Sequence, residues 1–350
     1  MHQSANPSDP CALTGAHDLQ PCWDLQLAGL GADALHLALE CGLFDQLQEF
    51  AAPHEVAGAL CLDHANTGYL LELLWSMNLL QRDVRQRYRN TPLAADYLRQ
   101  DAPTYCGDAL LFRHKVMRQT GEQLGDLLRN GSTAPPALSD AIRRGWANAA
   151  RVQIAQEQRA VTAGVACALL ETLPEYPRLE RILDLGGGPG LVAVALARRL
   201  PALRGVVFEY PECAAVAADN IAAAALDTRL QAVGGDLDQD DFGEGYDLIW
   251  CSSVLHFVKD LPAVLDRLHA ALKPGGVLVC CQAEVPAVPK QAGRVLPYYL
   301  HMRMHGRHVL AEGELARLLR SHGYQRVQQL NDLRFPVTPV NAVIARKEQP

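Results

Sequence analysis

From Trp23 onward, apolar residues recur at helical spacing: Leu25, Leu27, Leu30, Ala34, Leu35, Leu37 and Leu39 lead into Gly42-Leu43-Phe44. A short helix is predicted over His54–Leu60. A third is predicted over Asn66–Leu80, with Leu70, Leu71, Leu73, Leu74 and Leu79 as its apolar positions. The polar stretch Gln81–Arg87 then precedes Tyr88-Arg89-Asn90-Thr91-Pro92. Three short helices followed by a two-strand ribbon is the element order of a winged helix. From about Glu171 the pattern becomes strand–helix alternation. Strands are predicted at Arg181–Leu185, Gly205–Tyr210, Leu230–Val233, Tyr246–Ser252, Val277–Gln282 and Val340–Ala345. Helices are predicted at Leu191–Leu200, Glu212–Ala225, Leu261–Leu272 and Glu312–His322. This alternation predicts an α/β fold, a largely parallel sheet covered by helices on both faces. A helical connector, roughly Tyr105–Leu170 and broken at Gly131–Pro136, joins the two regimes.

A chain of 350 residues suggests about two domains, and its 49% apolar content is ample for a core. Lys and Arg number 32 against 39 Asp and Glu, a net charge of −7. That balance argues against a general phosphate-binding surface, and so against nucleic acid as a partner. No apolar run approaches the roughly 18 residues of a membrane helix. The polar start, Met1–Pro21, lacks the basic and apolar regions of a signal peptide. The expectation is a cytoplasmic protein with a flexible leader over residues 1–20. Ten cysteines are scattered with no C-x-x-C pair, so free thiols are expected rather than a disulfide framework or a metal site.

The segment richest in chemistry is Asp184-Leu185-Gly186-Gly187-Gly188-Pro189-Gly190, which follows a predicted strand and opens a predicted helix. Open α/β sheets bind ligands at the carboxyl ends of their strands, where the topology switches. Glycines there let the backbone approach a ligand without a Cβ in the way. Glu209, at the end of the next strand, is placed to accept both hydroxyls of a ribose. A dinucleotide turn, G-x-G-x-x-G from Gly186, would need glycine at 191, which is Leu191.

These features resemble the S-adenosylmethionine (SAM)-dependent O-methyltransferases of the caffeate and hydroxyindole type. The resemblance runs over about residues 23–347. It is carried by Tyr88-Arg89-Asn90-Thr91-Pro92-Leu93, Leu183–Gly190, Phe208-Glu209-Tyr210-Pro211-Glu212, Gly235-Asp236-Leu237, Val254-Leu255-His256, Leu272-Lys273-Pro274-Gly275-Gly276, Ala283-Glu284 and Gly306-Arg307. It implies a Rossmann-like class I methyltransferase domain with a mostly parallel seven-stranded sheet, preceded by a mainly α winged-helix dimerisation domain. The domain scheme is dimerisation over 21–104, an acceptor-lining helical connector over 105–170, and SAM binding over 171–350. The implied partners are a homodimer mate and a small-molecule methyl acceptor. The implied cofactor-binding residues are Asp184, Gly186, Gly188, Glu209, Asp236, Leu237 and Ser252. Gly186 and Gly188 would pass the amino-acid and sulfonium part of SAM, Glu209 would hold the ribose, Asp236 would reach the adenine amine, and Leu237 would lie on the ring.

His256 matches the family's general base, and a histidine with a pKa of about 6.5 suits the deprotonation of a hydroxyl. Two positions depart from the family pattern. Phe257 stands where the family continues with Asp-Trp, and His308 stands at one of the two acidic positions that flank the base in plant members. Glu284 matches the other, and would orient His256. An acceptor that needs no base, such as a thioether, amine or carboxylate, is the alternative. His301, His305 and His308 recur at i, i+4 and i+7, as on one helix face, but nothing nearby completes a metal set, and no metal is expected. The candidate acceptor-binding residues are His114, Met117, Trp146, His301, Met302 and His305, with Tyr298 on the same segment. Arg113 and Arg307 would favour an anionic acceptor. A DNA-binding regulator is a competing class, but the third helix carries Glu72 and no Lys or Arg. A non-catalytic SAM-binding protein is another.

Overall fold

A computed structural model describes residues 14–132 and 139–349. Most of the leader and part of the Gly131–Pro136 break therefore lie outside the described residues. The chain divides between Gly107 and Asp108 into two compact units.

The first unit holds α1 (Gln20–Glu40), α2 (Pro53–Leu60), α3 (His64–Ser76), β1 (Leu80–Arg82), β2 (Tyr88–Asn90) and α4 (Pro92–Tyr97). The strands pair antiparallel, Leu80 opposite Asn90 and Arg82 opposite Tyr88. Asp63 caps α3, its side chain accepting the Asn66 N–H at 2.9 Å. The predicted third helix ends early, at Ser76, because Asn78 adopts a left-handed φ of 59°. Among the described residues the outer face of α1 is exposed: Leu25 is 74% exposed, Leu27 61% and Leu30 63%.

The second unit is built on a seven-stranded sheet of order β5-β4-β3-β6-β7-β9-β8. Its helices, in chain order, begin with α5 (Gly107–Asn130), α6 (Asp140–Ala149), α7 (Ala155–Glu157) and α8 (Ala163–Glu171). Two π-helical turns, Ala150–Ile154 and Gln158–Thr162, join the last three. The strands are β3 (Arg181–Leu185), β4 (Arg204–Glu209), β5 (Leu230–Gly234), β6 (Tyr246–Ser252), β7 (Leu272–Gln282), β8 (Gln325–Leu333) and β9 (Val340–Arg346). Between them run α9 (Leu191–Arg199), α10 (Pro211–Ala223), α11 (Leu261–Ala271), α12 (Pro289–Ala292), α13 (Leu296–Met304) and α14 (Glu314–Ser321). Strands β3 to β7 are mutually parallel, and β9 and β8 are antiparallel additions.

Alternation along β3 and β6 divides the core between the two faces. Ile182, Leu248 and Trp250 pack beneath α8 and α9. Leu183, Leu185, Ile249 and Cys251 pack with α11 and α14. β3 is where the strand order reverses: β4 and β5 extend to one side and β6 and β7 to the other. The carboxyl ends of β3, β4, β6 and β7 thus face one crevice, the usual ligand site of an open α/β sheet. Trp250 is fully buried at the centre of this sheet. Trp250→Ala should destabilise the second unit by about 3–5 kcal/mol, read as a lowered midpoint in urea; a change below about 1 kcal/mol would contradict that packing role.

Candidate active site

The turn after β3 is shaped by sterics. Gly186 has φ of +64°, and a Cβ there would lie 2.4 Å from Val254 Cγ2. Gly188 has φ of +56°. Both are conformations that side chains oppose. The turn is held from three sides. Its first N–H, Gly186, donates to Phe208 O at 2.8 Å. From the end of β4, Glu209 Oε2 accepts the Gly188 N–H at 3.1 Å, and Glu209 Oε1 accepts the Tyr210 N–H at 2.9 Å. Burial pushes the Glu209 carboxyl up, and these two hydrogen bonds pull it back.

The third side comes from the helical connector. Gln158 Nε2 donates to Gly187 O at 3.0 Å, and Gln158 Oε1 accepts the Leu191 N–H at 3.0 Å. One buried amide therefore satisfies both edges of the turn. Its neighbours are committed elsewhere. Gln156 bonds Ala109 N and Asp108 Oδ2, at 3.0 and 2.7 Å, and Glu157 holds Arg113 through two 2.8 Å bonds. Three consecutive polar side chains, each turned about 100° from the last, reach three different targets, and the segment is bracketed by π-helical turns, a distortion common at functional sites. Periodicity gave no sign of this role, since it marks the apolar face of a helix and not the distant group that a buried amide meets.

Asp184 and Leu237 do not face the crevice as expected. Asp184 lies beneath the turn, almost fully buried, where a Cβ on Gly187 would meet its Cγ at 2.7 Å. Burial, with Glu209 adding to it and an Ala193 backbone bond opposing, raises the Asp184 carboxyl to about 7. Leu237 is buried in the core with Phe208 and Phe242. Asp236 stays partly exposed beyond β5, its carboxylate accepting from Asp238 N at 2.9 Å and Gln239 Nε2 at 3.3 Å. Ser252 closes β6, accepting from Trp250 Nε1 at 3.2 Å.

His256 sits just beyond β6, with its ring nearly enclosed at 5% exposure. Phe257 lies 4.1 Å from it between ring centroids, and Tyr299 meets it edge-on at 5.7 Å. Trp146, from α6, packs edge-on against Phe257 at 5.0 Å. The structure thus brings His256 and Trp146 into one aromatic group. Burial pushes the imidazole down to about 4; a hydrogen bond with the Gln282 side chain opposes this, and Arg307 reinforces it. The ring is neutral near pH 7, the state that a general base needs.

Glu284 does not orient this ring. Its carboxylate accepts Leu315 N at 3.0 Å, Gly313 N at 3.1 Å, Gln329 Nε2 at 3.0 Å and Asn341 Nδ2 at 2.9 Å. Those bonds anchor the start of α14 to β8 and β9. Gln282, the last residue of β7, lines the same small cavity as His256, with its Nε2 3.9 Å from Cys251 Sγ. A polar residue closing the apolar run Val277–Cys281 was the available signal.

The other candidates scatter. His301 and His305 stack at 4.1 Å at the end of α13. The helix stops at Met304 and Gly306 has φ of +72°, so His308 leaves that face, its Nε2 3.4 Å from Lys259 O. Met302 packs against the core. His114 and Met117 lie on α5, the first partly buried and the second exposed. Arg113 is no free anion receptor: besides Glu157 it donates to the Tyr298 hydroxyl at 2.6 Å. Arg307 donates to Phe257 O at 3.2 Å.

Residues 155–329 match the methyltransferase domain family. The chain belongs to this family. Residues 23–100 of the methyltransferase also match the O-methyltransferase dimerisation domain. It is 28% identical over 257 residues to the N,N-dimethyltransferase OxyT of Streptomyces rimosus, covering 71% of this chain and 73% of that protein. It is 28% identical over 263 residues to the tetracenomycin polyketide synthesis 8-O-methyl transferase TcmO of Streptomyces glaucescens, covering 73% and 76%. Human N-acetylserotonin methyltransferase, solved in complex with SAM, shares the fold with a TM-score of 0.73 at 22% identity, over 99% of this chain and 100% of that one. The methyl donor is SAM. The glycine turn free of Cβ atoms and the Glu209 carboxylate at the switch point fit such a group.

Gln158→Leu should leave a turn N–H and a turn carbonyl without partners. It should destabilise the folded chain by about 1–3 kcal/mol, read as a lowered melting temperature, and weaken SAM binding, read by calorimetry. Unaltered affinity would contradict the clamp.

Proposed function

We propose that the enzyme methylates a hydroxyl on a small aromatic molecule, with His256 as general base. When bound, SAM supplies a sulfonium methyl group, whose carbon–sulfur bond breaks to leave a neutral thioether as the bond to the acceptor oxygen forms. Gly186, Gly188 and Glu209 would hold the amino-acid and ribose parts, with Asp236 and Ser252 completing the polar rim. The acceptor proton passes to the neutral imidazole of His256. The observation that carries this reading is the enclosed, neutral His256 at the crevice of the switch point, walled by Phe257 and Tyr299, with Trp146 packed against Phe257.

The same aromatic wall favours a flat acceptor, and the pairing of Arg113 with Glu157 favours one that is not a free carboxylate. His114, Met117, His301 and His305 remain acceptor-side candidates in the scheme that gives 105–170 to the acceptor and 171–350 to SAM. Methylation of an amine is the second reading, favoured by the likeness to an N,N-dimethyltransferase. The N-terminal unit, over 21–104, would form a homodimer through the apolar face of α1, where Trp23, Leu27 and Leu30 are uncovered. Among the described residues no helix is long and apolar enough to cross a membrane. The cysteines among them are free thiols, which suits a reducing compartment such as the cytoplasm.

His256→Asn should lower kcat by about 100-fold or more while SAM affinity holds, in an assay of methyl-labelled SAM with a phenol panel. Full turnover in the variant would remove the base. Leu30→Glu should shift sedimentation from dimer to monomer; a monomeric parent protein would contradict the dimer.

A further inference from the structure

We propose that His301 and His305, at the end of α13, form a two-histidine site for a divalent transition-metal ion, Zn²⁺ first among them, with the remaining coordination positions open to water. The ion takes no part in methyl transfer, and the site does not depend on which acceptor is methylated.

The helix brings the two rings together. Residues four apart lie one above the other on a helix face, and α13 ends with His305 as its C-cap. The rings stand 4.1 Å apart between centroids, 40° from parallel. Nitrogens on such rings can meet one ion at the roughly 2.0–2.1 Å of a zinc–imidazole bond. The tautomer of His305 is set. Its Nδ1 lies 2.9 Å from His301 O, and because a carbonyl only accepts, Nδ1 carries the proton. Nε2 keeps its lone pair for a ligand bond. A backbone carbonyl on the other ring nitrogen is a usual support of a histidine ligand. Among the described residues no hydrogen bond occupies a ring nitrogen of His301. Burial, and then the neighbouring His305, hold the His301 ring below the ordinary histidine range, so it is unprotonated near pH 7, as a ligand must be. Both residues are half-buried, so an ion in solution can reach them.

The last turn of α13 is also the negative end of its helix dipole, which favours a cation. Arg303 is exposed and lies about 200° round the helix from His301. Arg307 is turned to Phe257 O at 3.2 Å. His308, the third histidine of the spacing, leaves this face beyond Gly306. Among the described residues no group of three or more His, Cys, Asp or Glu side chains could hold an ion, so the site has two protein ligands. It therefore binds less tightly than a closed four-ligand zinc site. Imidazole ligands select Zn²⁺, Cu²⁺ or Ni²⁺ over Mg²⁺ and Ca²⁺, which take oxygen. Chelation would tie together the last turn of α13, the helix that sets Tyr299 edge-on to His256.

The test is NMR of the untagged full-length enzyme carrying nitrogen-15 histidine, with His301→Gln and His305→Gln to assign the two signals. Zn²⁺ should move both signals with one shared midpoint, and Mg²⁺ should move neither. The histidine signals distinguish this site from Zn²⁺ taken up by the exposed thiols Cys22 and Cys61. In each variant the remaining histidine should bind Zn²⁺ about 10-fold or more weakly. The rise in melting temperature that Zn²⁺ gives the parent should shrink as well. Signals that stay still in excess Zn²⁺, or that titrate with separate midpoints, would overturn the shared site. So would a remaining histidine whose titration is unchanged in the variant. An equal response to Mg²⁺ would overturn the class of metal.

Discussion

The backbone of the turn after β3 has to pass close to a ligand and still satisfy its own hydrogen-bonding groups. Glycines solve the first requirement at Gly186 and Gly188, where φ is positive and a Cβ at 186 would strike Val254. They worsen the second, because a bare turn has no side chains of its own to bond its N–H and carbonyl groups. Neighbouring elements supply the partners: Phe208 and Glu209 from β4, and Gln158 from the π-bulged connector. The connector that carries Trp146 and Arg113 is thereby tied to the cofactor turn through adjacent residues, Glu157 on Arg113 and Gln158 on the turn.

A second tension sits one strand over. Enclosing His256 against Phe257 and Tyr299 keeps the ring neutral, which a base requires, and also weakens it as a base. A carboxylate would relieve that, and Glu284 lies across the small cavity, but its oxygens are taken up in joining α14 to β8 and β9. The site therefore combines an aromatic wall with an enclosed, neutral histidine.

Most of the architecture was legible in the sequence because it follows from periodicity. β3 and β6 fall on the predicted residues, and α9 to α11 are displaced by one or two positions at their ends. β8 was not legible. Gln-Arg-Val-Gln-Gln-Leu-Asn-Asp-Leu is polar along an edge strand that is exposed over much of its length, so the apolar signal of a strand is missing. In the candidate site, the glycine turn, Glu209 and His256 were legible as local motifs. Asp184 and Leu237 belonged to the same motifs, but their side chains turn inward, a direction that spacing does not specify. Gln158 went unread because it acts on a turn about 30 residues further along the chain, a contact that spacing does not specify. Choosing Glu284 over Gln282 favoured the charged residue over the one that ends the strand beside the base.

The most direct test follows the methyl group itself. SAM labelled with carbon-13 in its methyl group is incubated with the enzyme and a mixed panel of conjugated phenols, aromatic amines and thioether acids, and the product methyl is assigned by its carbon shift and its coupling to the acceptor. A methoxy signal on a phenol would support hydroxyl methylation at this site. An N-methyl or S-methyl product with no methoxy signal would contradict it.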